Sequence, residues 1–184
     1  GMSMDREKFG ETIDGLLFNQ ELSFPLPYNQ TKVTLDQDST DEDVIQTSIG
    51  QGKTQITPVQ LNLITAAIAN GGKLMQPIVV DRVLNADGKI LEKNEPSVYR
   101  ELMSEKEAEV MTSLMEDVVQ EGTGRKLKDR SYMAAGKTGS AEFSSDKSES
   151  HAWFTGFAPA EDPEIAVTVI VESAGSGSDY AVPL

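Results

Sequence analysis

Gly136-Lys137-Thr138 is the first place in this chain where residue types and spacing could do chemistry, because the run matches the end of a phosphate-binding loop. The complete loop needs a glycine five residues before Gly136, and Ser131 stands there. It also needs a strand before it and a helix after it, whereas the residues beyond Thr138 are polar and then β-forming. Nucleotide binding fails on both counts, and in isolation the run reads as a lead-in from turn to strand. A second candidate is acidic: Asp36, Asp38, Asp41, Glu42 and Asp43 crowd one short stretch. A calcium loop requires glycine at its sixth position, where Asp41 sits, so a solvated helix start capped by Thr40 with Asp43 at N3 is the better account. His151 could act as a base, but nothing near it in sequence orients it, and it reads as the entry to a strand. Trp153, Phe154 and Phe157 could stack on a sugar, yet core filling beside a sheet suits them better. Arg125, Lys126, Lys128 and Arg130 form a basic cluster that either steers an anionic substrate or is an ordinary solvated loop; both readings stay open.

The elements that must position these residues are legible in outline. A short helix is expected around Asp5 to Phe18, followed by an extended Phe24-Pro25-Leu26-Pro27. Thr57-Pro58-Val59-Gln60 supplies an N-cap, a proline at N1 and a capping-box glutamine for a helix that Asn70-Gly71-Gly72 ends. Ile78 to Leu84 and Lys89 to Leu91 flank Asn85-Ala86-Asp87-Gly88, which predicts a hairpin. Ser104 and Glu107 open a second helix that carries Val110, Met111, Leu114, Val118 and Val119 inward and stops at Gly122. The last third reads as sheet, with strands starting near Ala135, His151 and Ile165. Residues 165–171 are almost continuously β-branched, which suits a strand covered on both faces, paired as a hairpin with 153–157. Ser173 to Ser178 reads as a flexible Gly/Ser loop, and the chain stops at Leu184 without a closing element. The class is α+β, helices before an antiparallel sheet.

Composition excludes several functions. At 184 residues the chain has the size of one domain or part of a larger one. Its 30 acids against 16 Lys and Arg give a net charge of −14, which repels phosphate backbones and argues against nucleic acid as a partner. No cysteine occurs and histidine occurs once, so disulfides, thiol nucleophiles and multi-histidine metal sites are out, and no cofactor or metal is expected. No apolar run approaches the roughly 20 residues that span a bilayer. Gly1 before Met2 reads as a scar of tag cleavage, so the chain is expected to be an excised piece.

Read as a set, the blocks carry more than any one of them. Ser48-Ile49-Gly50-Gln51-Gly52, Thr57-Pro58-Val59-Gln60-Leu61 and Ala69-Asn70-Gly71-Gly72 come first; Gly122-Thr123-Gly124, Lys137-Thr138-Gly139-Ser140 and His151-Ala152-Trp153-Phe154-Thr155-Gly156-Phe157-Ala158-Pro159 follow in order. This succession resembles the C-terminal half of the transpeptidase domain of class B penicillin-binding proteins, whose family signature includes a K-T-G element. The resemblance implies a partial β-lactamase/transpeptidase-like fold, with three strands of a five-stranded antiparallel sheet present and residues 2–184 forming the C-terminal part of one domain. Two strands and a final helix are expected outside the chain, which leaves the sheet incompletely covered and open to a homodimer contact.

The resemblance also implies a function: part of a serine D,D-transpeptidase that cross-links peptidoglycan through an acyl-enzyme and binds β-lactams. The substrate would be a stem peptide ending in D-Ala-D-Ala, and the parent would be anchored on the outer face of a bacterial membrane. Lys137 would give positive potential for the substrate carboxylate, and Thr138 would hydrogen-bond it. Gly139 would let substrate backbone lie against the strand, and the Ser140 N–H would form half of an oxyanion hole. The family's S-x-x-K nucleophile and S-x-N motif are missing at their proper places. No asparagine has serine two positions earlier, and the one literal S-x-x-K, Ser144 to Lys147, follows the K-T-G in a polar loop. The chain alone is therefore expected to be inactive. Rival implications are a β-lactam sensor domain, a serine β-lactamase fragment, or a truncated module that only binds wall peptide.

Overall fold

The computed structural model describes residues 5–36, 38–143 and 150–184. Helices α1 (Arg6–Gly15), α2 (Asp41–Ser48) and α3 (Pro58–Ala69) precede four short strands, β1 (Lys73–Met75), β2 (Arg82–Leu84), β3 (Ile90–Lys93) and β4 (Val98–Glu101). Helix α4 (Glu105–Gln120) and a 3₁₀ turn (Arg125–Leu127) lead into strands β5 (Ala135–Glu142), β6 (Ser150–Ala158) and β7 (Ile165–Val171), and a one-turn helix α5 (Gly177–Tyr180) ends the chain. The class is α+β, and the three long strands start where the residue pattern put them. They form an antiparallel sheet in the order β5-β6-β7, with Ala135 opposite Phe157 and Phe157 opposite Ala166.

Alternation along the strands gives the sheet two distinct faces. Ala135, Phe157, Thr155 and Thr168 look toward α3 and α4, where Ile68 and Met115 complete a buried cluster with Ala135, Phe157 and Ala160. Ala152 and Phe154 look the other way, onto Ala181 and Val182. On that second face Gly136 and Gly156 are register partners, and a Cβ at either would lie within 2.8 Å of the Phe154 ring. The two glycines thus make room for an aromatic ring folded flat over the central strand.

Local signals set the helix ends. Thr40 and Asp43 close a reciprocal capping box on α2, and Ser104 and Glu107 do the same on α4. Helix α3 forms only half of its box: Thr57 accepts from the Gln60 N–H, but the Gln60 side chain is buried and donates its Nε2 to the Leu16 carbonyl at 3.0 Å. The tertiary partner wins because an amide buried at that depth needs one.

Three other expectations are corrected, and one pairing went unread. Helix α4 buries Ala108, Met115 and Val119, while Val110, Met111 and Leu114 face solvent. The helix offers two apolar stripes, and packing against α3 and β5 selects the one that carries Met115 into the cluster of Ile68, Ala135 and Phe157. Strand β7 is covered on neither face completely: none of its residues is fully buried, and Ile165 is 61% exposed. That matches the expected incomplete cover of the sheet instead. The stretch Ser173 to Ser178 is not a free loop throughout, since α5 begins at Gly177 and seats Ala181 and Val182 against the sheet. Finally, the pairing of β1 with β4 was invisible, because three or four residues carry too little alternation to read. Gly72 makes it possible: its φ is +88°, and a Cβ there would sit 2.0 Å from the Met103 carbonyl. The predicted hairpin forms as β2 and β3 around Asn85 to Gly88. Among the described residues no helix is long and apolar enough to cross a membrane.

The α2 cap has a pH signature. The Thr40 hydroxyl, then Lys53, hold the Asp43 carboxyl down from 3.8 to about 2. A depressed folded value stabilises the native state above about pH 4, and that contribution disappears as pH falls toward 2. Asp43→Asn is expected to lower the thermal midpoint at pH 6 and to match the parent protein near pH 2; an equal gap at both pH values would refute the cap's role.

Candidate active site

Strand β5 has one paired edge, against β6, and one open edge. The Ser140 carbonyl accepts from Gln51 Nε2 at 3.0 Å, across 89 residues of sequence, so it points away from β6. In an antiparallel ladder the N–H and C=O of one residue point to the same side. The Ser140 N–H therefore faces the open edge as well. Thr138, two residues earlier, shares that parity, and its carbonyl accepts from Lys137 Nζ at 2.7 Å. Lys137 itself lies on the α3 side of the sheet, opposite Thr155, and is exposed. Its ammonium thus curls around the strand edge with two donors to spare. Lys137, Thr138, Gly139 and Ser140 are consecutive on this strand, and the structure brings all four to one edge.

Three locks hold that edge in place. The first is the block Gly122-Thr123-Gly124, which folds tightly over the end of α4. A Cβ at Gly122 would meet the Val118 carbonyl at 2.9 Å, so only glycine lets the chain turn there. The turn aims the Thr123 hydroxyl at the Thr138 hydroxyl, and the two hydrogen-bond. The second lock is α5. Gly177 donates its N–H to Ser140 Oγ at 3.3 Å and lies against the β5–β6 backbone, where a Cβ would come within 2.4 Å of both the Gly139 and Trp153 carbonyls. The third is Gln51. None of these contacts was assigned from sequence, although glycines mark all three segments, by close backbone approach at Gly122, Gly124 and Gly177 and by positive φ at Gly50 and Gly52.

Beneath Lys137 a ladder of buried hydroxyls ties the sheet to α3. Thr155 Oγ1 lies 2.7 Å from Thr65 Oγ1 and 2.7 Å from Thr168 Oγ1, with Asn62 Nδ2 donating to Thr168 at 3.4 Å. At the far end of β5 a cavity of about 700 Å³ opens between α1, residues 47–57 and the sheet, lined by Phe9, Ile13, Ala141, His151 and Trp153 among others. It adjoins the Lys137–Ser140 edge without including it. His151 stands at the entry to β6, as its sequence suggested. Its ring stacks on Phe143 with centroids 4.3 Å apart, and its Nδ1 accepts from the Ser173 N–H at 3.1 Å. Phe154 and Phe157 are buried, as core residues should be, whereas Trp153 is half-exposed on the cavity wall. The literal S-x-x-K at Ser144 to Lys147 lies outside the described residues.

Comparison with known proteins agrees with this architecture. The family model for the penicillin binding protein transpeptidase domain matches residues 2–184. The chain is 38% identical over 161 residues to the peptidoglycan D,D-transpeptidase MrdA of Haemophilus influenzae, covering 77% of this chain and 24% of that protein. It is 35% identical over 144 residues to the peptidoglycan D,D-transpeptidase PbpA of Mycolicibacterium smegmatis, covering 74% and 29%. It therefore spans about a quarter of the length of these curated relatives. Among solved structures, the D,D-transpeptidase domain of a peptidoglycan glycosyltransferase from Eggerthella lenta superposes with a TM-score of 0.88 at 29% identity, over 100% of this chain and 47% of that one. The ceftriaxone acyl-enzyme complex of penicillin-binding protein A from M. tuberculosis gives 0.83 at 28% identity, over 94% and 40%. An open strand edge bearing Lys-Thr-Gly-Ser, on a fold shared along its whole length with these domains, places the chain in the penicillin-binding protein transpeptidase family.

Proposed function

We propose that residues 2–184 are the C-terminal part of one transpeptidase domain and form the K-T-G wall of a serine D,D-transpeptidase active site. The observation that carries this reading is the open edge of β5, where the Lys137 ammonium, the Thr138 hydroxyl and the Ser140 N–H share four consecutive residues. Lys137 and Thr138 bind the carboxylate of a stem peptide ending in D-Ala-D-Ala, or of a β-lactam that imitates it. The Ser140 N–H, pointing out of the same edge, donates to the oxyanion that develops as a serine attacks the carbonyl. Gly139 supports the picture from another side. A Cβ there would meet Trp153 Cβ at 3.4 Å, ordinary contact, so packing within the chain does not demand glycine. Room for substrate backbone does.

The serine nucleophile, its lysine and the S-x-N motif belong to the rest of the parent protein, which acts at the outer face of the bacterial membrane. The isolated chain is then inactive. The exposed Ile165 and Val167 on the sheet's second face would be covered by the family's remaining strands and final helix in the parent, and by a second copy in the isolated chain. A labelling experiment tests the reading: fluorescent penicillin is expected to acylate the full-length protein at a serine outside residues 2–184 and to leave the 184-residue chain unlabelled. Labelling of the isolated chain, or none of the full-length protein, would defeat it.

A further inference from the structure

Four of the 16 basic residues of this chain lie within residues 125–130, although its net charge is −14. The structure sorts them. Lys126 Nζ pairs with Asp179 Oδ1 at 2.9 Å, and Lys128 Nζ donates to the Gln120 carbonyl at 3.0 Å and to Glu121 at 3.3 Å, neutralising the end of α4. Arg125 and Arg130 are exposed and, among the described residues, make no ion pair.

Arg125 also has a defined address. Thr123, two residues before it, is hydrogen-bonded to Thr138. Lys126, directly after it, is tied to Asp179 of α5, whose Gly177 is bonded to Ser140 Oγ. Leu127 packs into the cluster of Ala152 and Phe154, the register partners of Ser140 and Thr138. The 3₁₀ turn is thus pinned at both ends against the outer half of Lys137–Ser140, and Arg125 is the guanidinium between the pins that makes no ion pair among the described residues.

We propose that Arg125 is a binding residue for a second anionic group on the substrate, one that arrives at the Thr138 side of the edge together with the incoming amine acceptor. This rests on the transpeptidase reading above. In that reaction the amine nitrogen attacks the acyl-enzyme ester carbonyl, a C–N bond replaces the serine C–O bond, and the proton lost by nitrogen returns to the serine oxygen. The acceptor's α-carboxylate takes the Lys137 and Thr138 position that the departing residue vacated. The turn that bears Arg125 is anchored next to Thr138 through Thr123, so the side chain of the acceptor is the group its guanidinium would meet. A guanidinium prefers a carboxylate for its planar, two-pronged donors, and on a chain this acidic it supplies local attraction that the overall field denies.

D-Glutamate and D-glutamine test this directly, since they differ only in a side-chain carboxylate. Full-length protein would be given a synthetic peptide ending in D-Ala-D-Ala, with each amino acid in turn as acceptor in low-salt buffer. The expected rate ratio of D-glutamate to D-glutamine is about five- to ten-fold, falling toward one as salt is raised. Arg125→Gln is expected to bring the ratio to about one, and Arg125→Lys to restore part of it. A ratio of one in the parent protein, or a ratio that Arg125→Gln leaves intact, overturns the proposal while exchange itself upholds the transpeptidase reading. Absence of both exchange and penicillin acylation in the full-length protein overturns the two together.

Discussion

Full-length protein carrying Lys137→Ala should acylate with benzylpenicillin on the order of 10²–10³ times more slowly than the parent, the range typical of losing one preorganised charge or donor from an acyl-transfer site. The loss is electrostatic. Lys137 Nζ is tethered by the Thr138 carbonyl at 2.7 Å, so its charge stands at the β5 edge before substrate arrives and pays no reorganisation cost. Removing it leaves a carboxylate to bind beside a chain of net charge −14. Both binding and attack should weaken, the first as a higher apparent KI and the second as a lower limiting rate. Because Lys137 is exposed and makes no buried contact, the thermal midpoint should stay within about 1–2 °C, which separates a chemical loss from unfolding. An acylation rate within threefold of the parent would remove Lys137 from the site.

The parts of the fold that could be read from sequence are those with repeated local signals. Helices α2, α3 and α4 announced themselves through Thr40, Thr57 and Ser104, each an N-cap whose partner lies three residues away. Strand β7 was legible from its β-branched run, and β6 from its aromatic one. What failed was the choice between two options that local sequence leaves equal. Helix α4 carries apolar residues on two stripes, and only the arrival of β5 and α3 selects Ala108, Met115 and Val119 over Val110, Met111 and Leu114. Gln60 faced the same choice between its own helix end and the Leu16 carbonyl, and burial decided it.

The site divides along the same line. Lys137 to Ser140 could be proposed from sequence because they are contiguous and match a family signature. The groups that aim them, Gln51, Thr123 and Gly177, lie 89, 15 and 37 residues from the atoms they hold. No periodicity reports a contact across such a distance. Their only trace was glycine: Gly50 and Gly52 around Gln51, Gly122 and Gly124 around Thr123, and Gly177 itself. Those glycines were read as blocks of resemblance or as flexible loop, when the physical content was close approach to backbone at Gly122, Gly124 and Gly177 and a positive φ at Gly50 and Gly52.

Gly177→Ala tests that content most sharply. The new Cβ would stand 2.4 Å from the Gly139 and Trp153 carbonyl oxygens and 3.0 Å from the Gly139 nitrogen, all backbone atoms of one register pair. Neither strand can yield without breaking its ladder, so α5 must lift by about 1 Å, enough to restore ordinary contact. Lifting loosens Ala181 and Val182, which are 0% and 4% exposed, from Ala152 and Phe154. It also pulls the Gly177 N–H from Ser140 Oγ and strains the Lys126–Asp179 pair. Overpacking of this kind costs about 1–3 kcal/mol, to be read from the denaturant midpoint of the full-length protein. Acylation by benzylpenicillin should fall by about an order of magnitude, because Ser140 loses the α5 contact that holds its side chain and the donor to the oxyanion is no longer fixed in aim. Gly10→Ala provides the contrast. It lies inside α1 with nothing within 4 Å of its new methyl, so the same substitution there should stabilise by about 0.5–1 kcal/mol and leave acylation alone. Equal midpoints for Gly177→Ala and the parent would mean that α5 does not bear on the sheet as described, and the second lock on Ser140 would have to be given up.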